Sequence, residues 1–213
     1  MEAVPLDNLL HIIATLAPAL FISAIFVYVA VQIIKIGLGV VKYAEKAARI
    51  NALLQSALEK TSGERVTLVK FFGPKRALPY IPYKFMSARY EAAKEGKEPA
   101  SEYINHIPTA LYIKFLRNLV NEYIILDTKF PNYLISEVGY DMIAAQGESK
   151  GLFMILKDVR LKPIGFIALY KNEDFTRVDL EAMTRLAASL IPYINGWDDR
   201  KAKTGFLHFI LAR

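Results

Sequence analysis

No cysteine occurs in the 213 residues. Disulfides, thiolate metal sites, a cysteine nucleophile and thioether attachment of a cofactor are thereby excluded. Histidine is scarce. The three are His11, His106 and His208, and no two stand at the spacing of a metal site on one element. Phosphate-binding glycine loops are missing: Gly37-x-Gly39 lies in an apolar helical stretch, and Glu95-Gly96-Lys97 lacks the rest of a P-loop. Gly147-Glu148-Ser149-Lys150-Gly151 reads as a hairpin turn rather than a nucleophile elbow. No internal repeat or low-complexity tract is visible. No catalytic residue, metal or cofactor is expected, and the chain does not read as an enzyme.

What is present is a long uncharged run. Leu9 to Ile34 carries no Asp, Glu, Lys or Arg and exceeds the roughly 20 residues that span a bilayer core. It reads as one transmembrane helix, with Pro18 as a tolerated kink. Glu2 and Asp7 precede it, in a short tail over residues 1–8. Lys35, Lys42, Lys46 and Arg49 follow, offset by Glu45. This Lys/Arg bias predicts a single-pass protein of the cytoplasmic membrane with its C-terminal side in the cytoplasm. The same four basic residues suit a leaflet of anionic lipid. Ala19-x-x-x-Ser23 and Ala30 offer small surfaces for helix packing, so self-association through the N-terminal helix is expected.

Residues 35–62 continue as a juxtamembrane helix, with Ala47, Ile50, Leu54, Ala57 and Leu58 at helical spacing and Gly63 as the C-cap. Residues 63–197 form the soluble domain. Arg65 to Phe72 reads as a strand that Gly73-Pro74 stops. Lys84 to Gly96 reads as a short helix and Pro99 to His106 as loop. Pro108 to Leu119 reads as a helix with proline in its first turn. Tyr123 to Thr128 reads as a strand, Ile135 to Val138 as part of a short helix, and Tyr140 to Ala145 as a strand. Gly151 to Val159 and Pro163 to Lys171 read as two strands with a three-residue connection, so they must pair antiparallel. Thr176-x-x-Asp179 opens a helix with capping-box geometry. Its Leu180, Met183, Ala187, Leu190, Ile191 and Ile194 line one face, and Pro192 with Asn195-Gly196 ends it. Residues 198–213 are a charged linker and an apolar tail too short to span a bilayer.

Two stretches, 50–72 and 151–194, carry a resemblance. Ile164-Gly165-Phe166-Ile167-Ala168-Leu169, then a turn, Phe175 and the helical Asp179 resemble the closing strand and helix of the GAF fold, in the GAF/PAS class. The resemblance implies an α+β domain: an antiparallel sheet with helices on one face, where helices 46–60 and 177–194 lie side by side. It places a ligand in the middle region, 73–150. The family's cyclic-nucleotide signature, Asn-Lys and then Phe-x-x-x-Asp-Glu, is not found in recognisable form. The order of one span, a charged helix and one globular domain, with residues 73–98 and 163–190, also resembles the holin family of the T-even bacteriophages. There the globular domain lies outside the cytoplasmic membrane, whereas the flanking charges here predict the inside.

Among the aromatic residues of the middle region, Tyr80, Tyr83 and Tyr112 are the candidates for ligand contact. The basic residues lack an aromatic-basic motif for nucleic acid, and none is expected as a partner. Expected partners are the lipid bilayer, a second copy of the chain, and a regulatory protein or small ligand on the domain. Three functions fit the sequence. One is a non-enzymatic ligand-sensing or protein-interaction module. The second is a holin-like lysis protein that oligomerises to permeabilise the membrane. The third is a scaffold of a membrane complex.

Overall fold

The structure is a computed structural model and describes residues 6–75, 81, 83–121, 123–132 and 138–194. The chain falls into two units, Met1–Glu45 and Lys46–Arg213. Helix α1, Leu6–Lys60, contributes to both. In the first unit it is apolar on every side: Phe21, Phe26, Val27, Ile33 and Leu38 are all exposed. The described part of α1, from Phe21, is long and apolar enough to cross a membrane.

The second unit begins with the last turns of α1. Part of the expected juxtamembrane helix is therefore integral to the folded domain, with Ile50, Leu54, Ala57 and Leu58 buried. The domain continues as β1 (Arg65–Lys75), β2 (Tyr83–Ala93), α2 (Ala100–Tyr103) and β3 (Ile107–Pro108). A 3₁₀ turn over Thr109–Tyr112 leads into α3 (Ile113–Leu119) and β4 (Tyr123–Asp127). The chain then forms α4 (Val138–Ala144), β5 (Lys150–Lys157), β6 (Pro163–Lys171) and α5 (Arg177–Ile194). The six strands make one sheet in the order β3-β2-β1-β6-β5-β4. Every pairing is antiparallel.

The expected α+β architecture is what folds. The end of α1 and the face of α5 built by Met183, Leu186, Leu190 and Ile194 share one apolar cluster with Val66, Leu68, Leu152, Ile167 and Leu169. The opposite sheet face is covered as well. The chain between β2 and β4 must cross from one side of the sheet to the other. It does so over that face, where Phe115, Leu116 and Leu119 of α3 pack with Phe71, Phe153 and Phe166. The covering helices there are short, which left them faint in the sequence.

Four local expectations are corrected. Residues 84–96 are not a helix but most of β2. Their Ala, Glu and Lys are good helix formers, but propensity is a weak prior, and pairing with β1 from Arg65↔Ala93 to Lys75↔Tyr83 overrides it. Tyr140–Ala145 is not a strand but lies in α4 and its end. Tyr140 and Ile143 are buried one turn apart, and Gly147, at φ 73°, closes the helix with its N–H on Ala144 O. Gly73-Pro74 does not end β1, which runs on to Lys75 through a register irregularity after Phe72. Gly63 is not a left-handed cap. A Cβ there would sit 2.3 Å from Leu169 Cδ1, so close packing is what it serves. Two smaller differences are that Ala100–Tyr103 is a short helix inside the expected loop and that Pro192 lies within α5.

The capping box at Thr176 forms as expected. Asp179 N–H donates to Thr176 Oγ1 at 3.3 Å, and Thr176 N–H donates to Asp179 Oδ2 at 2.7 Å. The same carboxylate receives Lys171 Nζ at 2.6 Å, with both side chains sealed at 1% and 2% exposure. Lys171 also donates to Ser62 Oγ at 3.0 Å, and its ammonium lies 5.1 Å from the Phe175 ring centre.

Two predictions follow from this packing. A Cβ on Gly165 would lie 2.3 Å from Val69 O, inside the central β1–β6 pair. Gly165→Ala should destabilise the domain by about 1–3 kcal/mol, read as a lower urea midpoint at unchanged slope. Burial works to raise the Asp179 pKa, but Lys171 and the Thr176 amide and hydroxyl outweigh it and hold the carboxyl below its usual value. A carboxyl depressed in the folded state stabilises above its unfolded pKa, near 4, and loses that contribution as pH falls toward the folded value. Asp179→Asn should cost about 3 kcal/mol at neutral pH, because Lys171 keeps a buried charge. It should also flatten the stability decline below about pH 4. An unchanged acid limb would refute the role given to Asp179.

Candidate functional site

Where β1 and β2 meet the far end of β6, the aromatic face of the sheet becomes polar. Arg65 and Thr67 of β1 project there beside Glu91 of β2 and Tyr170 of β6, since Arg65 pairs with Tyr170 and Thr67 with Glu91. The turn after α4 adds Gln146 and Glu148. Arg65, Thr67, Gln146, Glu148 and Tyr170 are all buried. Arg65 Nη1 lies 3.2 Å from Glu91 Oε1, and Glu91 Oε2 accepts the Ala100 N–H at 2.6 Å. Lys97 Nζ stands 3.1 Å from Glu148 Oε1 and 3.8 Å from Glu64 Oε2.

These ion pairs do not use up the polar atoms. Beyond the ion-paired Arg65 Nη1 and Glu148 Oε1, Arg65 Nε, Thr67 Oγ1, Gln146 Oε1, Glu148 Oε2 and the Tyr170 hydroxyl are buried without a hydrogen bond among the described residues. Leaving such a group unsatisfied costs about 1–3 kcal/mol, and native proteins leave few. Five such atoms, one on each of five side chains, are concentrated here. Donors (Arg65 and the two hydroxyls) stand beside acceptors (Glu148 and the Gln146 carbonyl), an arrangement complementary to a small guest that offers both.

Burial pushes the Tyr170 hydroxyl well above the usual phenol range. The Gln146 amide beside it pulls the other way, although the two are not joined in good hydrogen-bond geometry. Burial also raises Glu91, against the opposing pull of the Ala100 N–H and Arg65, while the nearby charge of Glu148 adds to the rise. Tyr170 is thus a neutral donor at physiological pH. A shallow groove of about 310 Å³, lined by Ala88, Arg89, Glu91, Lys97 and Pro99 among others, opens beside the cluster. Glu91 lines it, as does Lys97, the partner of Glu148.

Deeper in the same face, aromatic rings fill the space. Phe115 meets Phe153 edge-on at 5.0 Å and Phe166 at 5.8 Å, and Phe153 meets Tyr170 at 5.7 Å. Tyr112 is buried in this core, where burial and the charge of Asp141 raise its pKa, and Tyr83 packs against it half-buried. Tyr80 lies outside the described residues. Of the candidate tyrosines, then, Tyr112 and Tyr83 border one apolar cluster, and neither is among the side chains of the polar cluster. Lys35, Lys42 and Arg49 are exposed and Lys46 is half-buried. Ser23 and Ala30 are exposed on α1, and the side chain of Ala19 lies outside the described ones.

Among the described residues no group of three His, Asp or Glu is placed to hold a metal ion. Gly147–Gly151 joins a helix to a strand, the reverse of a nucleophile elbow, and the Ser149 hydroxyl donates to Asn172 O at 3.3 Å. Sequence reasoning missed the polar cluster because its members lie on four separate segments. The one signal available was Arg65 at the head of a mostly apolar strand.

The fold is that of a GAF domain. The chain is similar to the blue-light absorbing form of the PixJ GAF domain of Thermosynechococcus elongatus at 12% identity, TM-score 0.56, covering 78% of this chain and 95% of that one. A far-red cyanobacteriochrome photoreceptor matches at 11% identity, TM-score 0.56, covering 77% and 96%. A phycoerythrobilin-bound GAF domain from a cyanobacterial phytochrome matches at 15% identity, TM-score 0.52, covering 75% and 90%. No family model matches the sequence, and no curated protein does. The holin resemblance therefore rests on the residues quoted for it alone.

Proposed function

We propose that the chain is a membrane-anchored, non-enzymatic sensory module whose GAF-type domain binds a small polar molecule at the Arg65–Glu148–Tyr170 cluster. The observation that carries this reading is the set of buried, unsatisfied donors and acceptors on Arg65, Thr67, Gln146, Glu148 and Tyr170. Bound against them, a guest recovers hydrogen bonds that the fold leaves unmade. Two of the structural neighbours are bilin-bound by description. A thioether-held bilin does not fit here, because the chain has no cysteine and aromatic rings fill the deeper part of that face. The guest is held non-covalently.

Binding would draw β1, β2, β6 and the α4–β5 turn together. β1 follows directly on α1 and β6 leads directly into α5, so such a shift reaches both long helices. α1 is the proposed anchor, and the basic residues after its apolar run orient the domain toward the cytoplasm.

Tyr170→Phe removes a hydroxyl that makes no hydrogen bond among the described residues. It should leave the unliganded protein as stable or slightly more so. The full chain in detergent micelles, screened by thermal shift against amino acids, nucleosides and polyols, should show a raised Tm with at least one compound. That shift should shrink or vanish in Tyr170→Phe and in Glu148→Gln while both variants stay folded. Shifts equal to wild type in both would remove the site. For the anchor, the protein should stay in the membrane pellet through alkaline carbonate extraction, and a reporter fused after Arg213 should be active in the cytoplasm. Release by carbonate would sink the span, and an external reporter would reverse its orientation.

A further inference from the structure

At the opposite end of the sheet from the polar cluster, the β5–β6 hairpin tip displays two apolar side chains to solvent. Val159 is 80% exposed and Leu161 is 77% exposed. The tip is held in shape. Leu161 N–H donates to Asp158 O at 2.9 Å, and Asp158 N–H donates to Lys162 O at 2.8 Å. Asp158 Oδ1 accepts the N–H groups of Arg160 and Lys162 at 2.8 and 2.9 Å. This turn requires a left-handed residue before β6 resumes, a position that suits glycine or asparagine. Here it is Leu161, at φ 58°. A leucine in that conformation is strained, and its exposed side chain recovers nothing by packing within the chain. Strain kept at an exposed apolar residue points to a use outside the fold.

The surroundings say what that use is. Lys157, Arg160 and Lys162 ring the tip, and none makes an ion pair among the described residues. The one acid of the loop, Asp158, is turned onto backbone N–H groups.

We infer that the Val159–Leu161 tip is a membrane-docking wedge, in which two apolar side chains enter the interface of an anionic bilayer and Lys157, Arg160 and Lys162 meet its headgroups. It draws on the membrane reading above only for the nearness of a bilayer. The test exploits the absence of cysteine. Full-length Leu161→Cys and Val159→Cys, labelled with an environment-sensitive fluorophore, are placed in phosphatidylcholine nanodiscs with and without phosphatidylserine. Doxyl-labelled lipid serves as the quencher. Val178→Cys, exposed at the other end of α5, is the control. Both tip labels should be quenched several-fold more than the control with phosphatidylserine, and should fall to the control level without it or with Arg160→Glu/Lys162→Glu. Leu161→Gly should raise the urea midpoint and reduce quenching at position 159. Tip quenching no greater than the control with phosphatidylserine overturns the inference, as does quenching that ignores lipid charge. If the chain fails to enter nanodiscs, the span reading falls; the same labels on vesicles of the same lipids still decide the tip.

Discussion

A single buried ion pair joins the parts of the domain that arrive from different places in the chain. Lys171 ends β6, Asp179 lies in the first turn of α5, and Ser62 sits in the link between α1 and β1. Two charges removed from water are costly unless every lone pair and proton is used. Here Asp179 is met by the Lys171 ammonium and by the amide and hydroxyl of Thr176, while Lys171 also reaches Ser62 and lies near the Phe175 ring. Because each group is satisfied only when the others are in place, the pair fixes how α5 leaves the sheet and how β1 enters it. The two long helices are then held on one face by apolar burial, with Ile50, Leu54, Met183 and Leu190 fully buried.

The other face follows a different logic. Its centre is packed with phenylalanine rings, which leaves rigidity there and little polarity. Its end is the reverse, with charged and hydroxylated side chains buried beside one another and only partly satisfied. A domain that stabilises itself through Lys171–Asp179 can tolerate an incompletely satisfied set of polar groups a short distance away on the next residue of the same strand, Tyr170. That contrast between a closed polar site and an open one, on adjacent residues of β6 facing opposite sides, is the physical basis for separating the structural role of Lys171 from the binding role proposed for Tyr170.

The two ends of the sheet also differ in kind. At one end buried acids and bases sit together with Tyr170. At the other, the β5–β6 tip carries exposed cations and two unburied apolar residues.

Much of this was legible residue by residue. The apolar run from Leu9 to Ile34 announces itself by length and lack of charge. Strands Arg65–Phe72, Tyr123–Asp127, Lys150–Lys157 and Pro163–Lys171, and the capped helix after Thr176, were readable because their signals are local: alternation, β-branching, a capping box. β2 and α4 were not, because the Ala- and Glu-containing stretch 84–93 becomes a strand only through its partner β1, and Tyr140–Ala144 becomes a helix only where Gly147 closes it and the sheet buries Tyr140 and Ile143. The polar cluster was invisible for the same reason, being assembled from β1, β2, β6 and the α4–β5 turn. By itself, then, the sequence determined the apolar run, the absence of thiol chemistry and the strand-strand-helix close of the domain, all set by neighbours in the chain. Tertiary structure alone decided which polar atoms stay unsatisfied when buried and which apolar ones stay exposed, since both depend on what the fold places several segments away.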